Sequence, residues 1–199
     1  MTTSPASSQS LFVTTEQLLA RALPDREIRV SGDCIGAYQR EFDYLCRTLR
    51  RLGITPSDLE DVSHEVFLVL HRRWADYDRD RPLRPWLFGI AYRVASAHRK
   101  RARREVLEPW LEVEDLSPRP DQAFATEQAR ALVLAALERI PLPRRAVLVM
   151  HDLDGAVMHD IAQALSIPLF TAYSRLRKAR RELEASVALV ASFQKGGPR

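Results

Sequence analysis

Cysteine, glycine and long apolar runs are all scarce in this 199-residue chain, and each scarcity removes a class of answer. The two cysteines, Cys34 and Cys46, have no CxxC or HxxxH pattern near them. Neither a disulfide framework nor a zinc site is expected, and a reducing cytoplasm is the default compartment. The histidines at 64, 71, 98, 151 and 159 are scattered singly and read as surface or packing residues. With only seven glycines and no sustained alternation of apolar and polar residues, a sheet has no support. No Walker loop, HExxH, Ser-His-Asp spacing or glycine-rich phosphate cradle occurs, so neither a catalytic site nor a cofactor is expected. No apolar stretch approaches membrane-spanning length, and the N-terminus lacks a basic start followed by an apolar core. Export and membrane insertion are therefore not expected.

Helix formers and charge are abundant instead. Ala, Leu, Arg and Glu dominate, and 46% hydrophobic residues suffice for real cores, which favours an all-α protein. The formal net charge is only +4, so its distribution matters more than its sum. Arg93, Arg99, Lys100, Arg101, Arg103 and Arg104 form one basic cluster, and Arg175, Arg177, Lys178, Arg180 and Arg181 form another. Between them lie Glu105, Glu108, Glu112, Glu114, Asp115 and Asp121, opposed only by Arg119. Two basic patches with an acidic spacer point to two contacts with one polyanion, or to two solvated helix faces.

Punctuation by proline, glycine and polar clusters divides the chain into an extension over residues 1–33, a helical domain over 34–105, an acidic linker over 106–125, a second helical domain over 126–190 and a flexible tail over 191–199. The extension begins with the Ser/Thr-rich MTTSPASSQS, with a short helix expected over residues 15–23. In the first domain a helix over 35–52 ends at Gly53. The next starts with Thr55 as N-cap and Pro56 at the first helical position. Leu59, Val62, Val66, Val69 and Leu70 form its buried stripe, while Asp58, Asp61 and Glu65 share another face. Those acids suit the positive end of a helix dipole, and they equally suit a docking face. A polar loop, DYDRDRPLRP, leads to a helix from near Trp86 to Arg104, with Arg93, Arg99, Lys100 and Arg103 expected outside. Tyr77, Trp86 and Tyr92 lie beside that basic surface. Interleaved aromatics and arginines suit unstacked nucleobases, although Trp86 is equally readable as core.

The second domain opens with a long helix over 126–139, passes Pro141 and Pro143, and continues with a helix over 144–153 that Asp154 and Gly155 close. There follows MHDIAQALSIPLFTAYSRLRKARR, residues 158–181. A short amphipathic helix runs into a Ser166-Ile167-Pro168 turn, and Pro168 is placed to start a second helix. Ile161, Leu165, Ile167 and Leu176 supply the buried face, and small Ala162 allows close approach. That arrangement is a helix-turn-helix, whose second helix enters a DNA major groove; an ordinary helical hairpin with a basic face is the plainer reading.

Taken together, these blocks resemble a sigma factor of the extracytoplasmic function (ECF) group of the sigma-70 family. DLEDVSHEVFLVLHRRW, residues 58–74, looks like the family's region 2.1–2.2 helix. RPWLFGIAYRVASAHRKR, residues 84–101, is similar to regions 2.3–2.4, and residues 140–180 resemble region 4. The resemblance covers roughly residues 35–190. It implies an all-α fold of two small domains, region 2 and region 4, joined by a flexible linker. It also implies a promoter-specificity subunit of RNA polymerase with no catalysis of its own.

The resemblance further implies roles. Asp58, Asp61 and Glu65 would dock on the β′ coiled coil of core RNA polymerase, and region 4 would meet the β flap. Tyr77, Asp78 and Arg79 would line a pocket for a flipped base of the promoter −10 element, with Trp86, Arg93, His98, Arg99 and Lys100 on the same melting surface. Thr171, Tyr173, Ser174, Arg175, Arg177, Lys178 and Arg181 would meet the −35 duplex. There Arg177 or Lys178 reaching a guanine edge contributes about 1–3 kcal/mol of discrimination, while Arg175 and Arg181 contact phosphates. An anti-sigma factor is an implied partner, and the acidic linker would thread toward the polymerase active centre. Several residues depart from the family pattern. His64 replaces the usual Gln, Arg93 and Ala97 stand where Asn and Asp are frequent, and Ala172 replaces Val. Ser166 and Phe170 replace glycines, and Ala156-Val157-Met158 replaces the common entry to the helix-turn-helix. These departures point to a divergent promoter. The competing reading is a stand-alone helix-turn-helix regulator that binds duplex DNA without polymerase.

Overall fold

A computed structural model describes residues 32–105 and 122–195. The N-terminal extension with its expected helix, most of the acidic linker and the last four residues lie outside the described residues. Among the described residues every regular element is helical.

The N-terminal lobe contains α1 (Gly32–Arg51), α2 (Leu59–Arg72), a single 3₁₀ turn (Trp74–Asp76) and α3 (Leu83–Glu105). Helix α1 buries Cys34, Ala37, Tyr38, Leu45 and Leu49 at helical spacing. It ends at Gly53, whose φ of 86° no other residue type adopts as cheaply. The Gly53 N–H reaches the Arg50 carbonyl and the Ile54 N–H the Leu49 carbonyl, each at 3.0 Å. This is the paired closure of a Schellman C-cap.

Three expected helix starts move, the first from 35 to Gly32. Helix α2 begins at Leu59, with Asp58 as N-cap, because Thr55 closes a separate turn: the Asp58 N–H meets its Oγ1 at 3.3 Å and its carbonyl at 3.2 Å. Helix α3 begins at Leu83, three residues before Trp86. Pro85 is tolerated there because the N–H groups of a first turn have no intrahelical partner. Val62, Val66, Phe67 and Leu70 of α2 pack with Leu87, Ile90, Ala91, Val94 and Ala95 of α3, as their spacing requires.

The C-terminal lobe contains α4 (Gln122–Glu138), α5 (Leu142–Leu148), a wider π turn (Val149–Leu153), α6 (Met158–Ala164) and α7 (Leu169–Lys195). Helix α4 thus begins inside the segment expected to be linker, and α7 runs on into the expected flexible tail. The single helix expected over 144–153 is also divided. At Val149 the hydrogen bonding widens, so that the Asp154 N–H meets the Val149 carbonyl at 3.0 Å and the Ala156 N–H meets that of Met150 at 2.9 Å.

Arg145 organises the start of this lobe. Only 1% exposed, it donates from Nε to the Ile140 carbonyl at 3.2 Å and from Nη2 to the Glu138 carbonyl at 2.6 Å. It thereby satisfies carbonyls that the end of α4 leaves unpaired. Arg144 pairs with Glu182 at 2.8 Å, and Asp152 pairs with Arg180 at 2.7 Å; both pairs clamp the α5 region to α7.

The two lobes share one continuous apolar cluster. Their seam is lined by α3 against α6 and by α1 against the 149–154 turn. Tyr44 donates its hydroxyl to Asp154 Oδ2 at 2.9 Å, and Arg51 donates to Oδ1 at 2.8 Å. Burial outweighs these partners and pushes the Asp154 carboxyl above its ordinary range. Gly89 permits the closest approach: a Cβ there would sit 2.6 Å from the Ala164 carbonyl oxygen.

Candidate nucleic-acid interface

The turn between α6 and α7 is held by the same geometry as the end of α1. The Ser166 N–H meets the Gln163 carbonyl at 3.0 Å, and the Ile167 N–H meets that of Ala162 at 2.9 Å. Ser166 occupies the left-handed position at φ 54°, where glycine is the unstrained choice. Ile161, Ala162, Leu165, Ala172 and Leu176 bury the inner face. Helix α7 then presents Tyr173, Arg177, Lys178 and Arg181 to solvent, with Thr171, Ser174 and Arg175 half-buried beside them. All seven expected residues lie on one helix, four of them plainly exposed. Arg180, on the same helix, is instead held by Asp152.

The aromatic part of the N-terminal lobe is also assembled. Tyr77 stacks on Trp86 with ring centroids 5.0 Å apart, and Trp74 stands 5.4 Å from Tyr77. The Tyr77 hydroxyl is anchored on the Arg81 carbonyl at 2.6 Å, and burial raises its pKa. Asp78 and Arg79 are exposed on the loop, and Arg79 pairs with Asp33 at 3.1 Å.

A cavity of about 280 Å³ opens against Tyr77, Trp86, Arg73, Arg81 and Arg93, and Asp160, Gln163 and Ser166 of the C-terminal lobe close its other side. Arg93 donates to the Gly89 carbonyl at 2.7 Å, the Ala164 carbonyl at 3.1 Å and Ser166 Oγ at 2.9 Å. Burial, then nearby Arg73, lowers the pKa of Arg93. Arg81 reaches Gln163 across the same gap.

The remaining basic residues divide. Lys100 is exposed as expected. Arg99, expected outside, turns inward and donates to the Gly53 carbonyl at 2.8 Å, because the end of α1 leaves that acceptor open. His98 Nε2 lies 3.7 Å from Asp58 Oδ2, and Arg101 pairs with Glu65 at 2.9 Å. Asp58 and Glu65 are therefore braced against the basic helix, and Asp61, the third expected docking acid, is exposed. Sequence reasoning missed Arg73, Arg81 and Gln163, which line the cavity, and no short-range pattern marks them. It noted Phe170 only as a departure, yet Phe170 is 82% exposed at the start of α7.

A two-lobed helical DNA-binding protein, with a helix-turn-helix in one lobe and an aromatic, arginine-lined cleft against the other, is the class this geometry defines. Known proteins agree. Sigma-70 region 2 matches residues 37–105, and sigma-70 region 4 matches residues 130–183. The ECF sigma factor SigM of Mycobacterium tuberculosis is 32% identical over 146 residues, 73% of this chain and 72% of its own length. Sigma factor NccH of Alcaligenes xylosoxydans xylosoxydans is 26% identical over 85% of this chain and 93% of its own length.

Among solved structures, the sigma factor RpoE of Bartonella quintana, in complex with the anti-sigma factor NepR, superposes with a TM-score of 0.63 at 16% identity. That match covers 79% of this chain and 98% of RpoE. CnrH in complex with the cytosolic domain of CnrY gives 0.57 at 22% identity, over 86% and 96% of the two chains. The chain belongs to the ECF group of sigma-70-family factors, alternative sigma factors that direct promoter-specific transcription. The basic face of α7 thus lies in region 4, and the stacked Tyr77 and Trp86 lie in region 2.

Proposed function

We propose that this sigma factor reads the −35 element with the exposed face of α7 and the melted −10 element with the Tyr77–Trp86 cleft, and that it docks on core RNA polymerase through the Asp61 side of α2. The observation that carries the reading is the pairing of two different surfaces in one chain. Tyr173, Arg177, Lys178 and Arg181 form a basic helical ridge suited to a duplex groove. Tyr77 and Trp86 offer flat faces beside Arg73, Arg81 and Arg93, which suits an unstacked base with its phosphates. A stand-alone regulator needs the first surface and has no use for the second.

On this reading Asp78, Arg79, His98 and Lys100 border the melted strand. Arg99 supports the surface from within by capping α1, and Asp58 and Glu65 position the docking helix through His98 and Arg101. The protein contributes no catalytic chemistry of its own and works beside polymerase in the cytoplasm. An anti-sigma factor is its natural antagonist, as the anti-sigma factor NepR accompanies the structural relative RpoE.

Reconstitution with core polymerase tests the assignment. The chain is expected to bind core enzyme and start transcripts from a selected promoter. Asp61→Lys is expected to weaken core binding while the fold, read by circular dichroism, is kept. Tight duplex binding without core, and no polymerase association, would refute the reading in favour of the regulator.

A further inference from the structure

The first turn of α7 holds an aromatic side chain that its own fold does not use. Phe170 is 82% exposed and Tyr173, one turn on, is 56% exposed, while Ala172 and Leu176 point into the core. Phe170 stands between two shallow grooves. One is lined with Tyr173, Arg177 and Arg181, and the other with Thr171, Arg175 and Lys178. Leu169, 45% exposed, extends Phe170 and Tyr173 into an apolar patch on a cationic ridge, and the surrounding charge selects a polyanion as its cover. In helix-turn-helix proteins the first residues of the second helix are those that reach base edges. The apolar feature of a duplex groove is the thymine 5-methyl group, which phenylalanine contacts well.

We propose that Phe170 is a specificity-determining residue that reads a thymine methyl in the −35 element. The proposal rests on the reading of α7 as the −35 helix. A promoter selected from a library randomised at the −35 element with the wild-type holoenzyme is expected to carry a required thymine. Replacing that thymine with deoxyuridine, which lacks only the methyl, is expected to weaken wild-type promoter binding about fourfold, the worth of one buried methyl. Phe170→Ala holoenzyme is expected to bind both promoters equally and about as weakly.

A Phe170→Ala enzyme that still prefers thymine by fourfold, or a selected element without a thymine requirement, overturns the proposal. So does a Phe170→Ala defect that lies in core binding. Arg177→Ala separates the failures. If it lowers promoter affinity while Phe170→Ala does not, the helix reads DNA without Phe170; if neither matters, the reading of α7 itself is wrong.

Discussion

Replacing Arg145 with methionine sets two large effects against each other. Methionine preserves most of the unbranched stem and removes the buried charge, which burial and the neighbouring Arg99 already disfavour enough to lower its pKa to about 10. Buried ion pairs replaced by apolar residues have often been neutral or stabilising, so removal of the charge alone favours the variant. Against this, the carbonyls of Glu138 and Ile140 lose their donor. Each buried carbonyl left unsatisfied costs about 1–3 kcal/mol, and these two sit where α4 ends and α5 begins. The second effect is expected to win, because backbone acceptors cannot be moved away as a side chain can. We expect Arg145→Met to destabilise the chain by about 2–4 kcal/mol, within the range for breaking a buried polar network. Urea unfolding at neutral pH, followed by circular dichroism, measures it. Arg145→Lys is expected to fall between, since one ammonium cannot serve both carbonyls in the fork geometry of a guanidinium. A methionine variant as stable as wild type would refute the reasoning, and would show that the cost of the buried cation equals everything its hydrogen bonds return.

Two further expectations follow from the same contacts. Ser166→Gly removes a left-handed strain of about 1 kcal/mol, partly offset by the greater unfolded-state entropy of glycine, and it removes the hydroxyl that Arg93 uses. Thermal unfolding of the C-terminal lobe is expected to rise slightly while the seam loosens in small-angle scattering; a lower unfolding temperature would contradict the strain assignment. The two carboxyls of the 149–154 turn are expected to titrate on opposite sides of the ordinary value of 3.8. Asp152 lies below because Arg180 binds its charged form, and Asp154 lies above because burial dominates. The Asp152 contribution is therefore complete above 3.8 and lost as pH falls through its depressed folded pKa. Asp154 acts with the reverse sign: its contribution to folded-state stability is present below 3.8 and is lost as pH rises through its raised folded pKa. Carbon-13 titration of the side-chain carboxyls reads both directly, and the opposite order would refute the assignment.

Local rules account for what was legible in the sequence. The buried stripes of α2 and α3 repeat at helical spacing, Gly53 ends α1, and Pro168 precedes α7; each of these is a statement about neighbours within one or two turns. The expected N-cap at Thr55 failed for an instructive reason. Thr55 and Asp58 are both good caps, and the sequence does not say that the first closes a turn and the second starts the helix. Arg99 failed differently, since nothing near it in sequence shows that the carbonyl of Gly53, forty-six residues earlier, lacks a donor. The seam belongs to this second kind. Tyr44, Arg51, Gly89 and Arg93 each have an adequate local reading as core, surface, helix or nucleic-acid contact. They acquire a shared meaning only when Asp154, Ala164 and Ser166 arrive from the other lobe. Ser166 shows why a family resemblance did not expose this either. A serine in a glycine position reads as a tolerated departure with a conformational cost. In the folded chain that same hydroxyl is what Arg93 grips, so the departure that weakens the turn is also a contact that closes the protein.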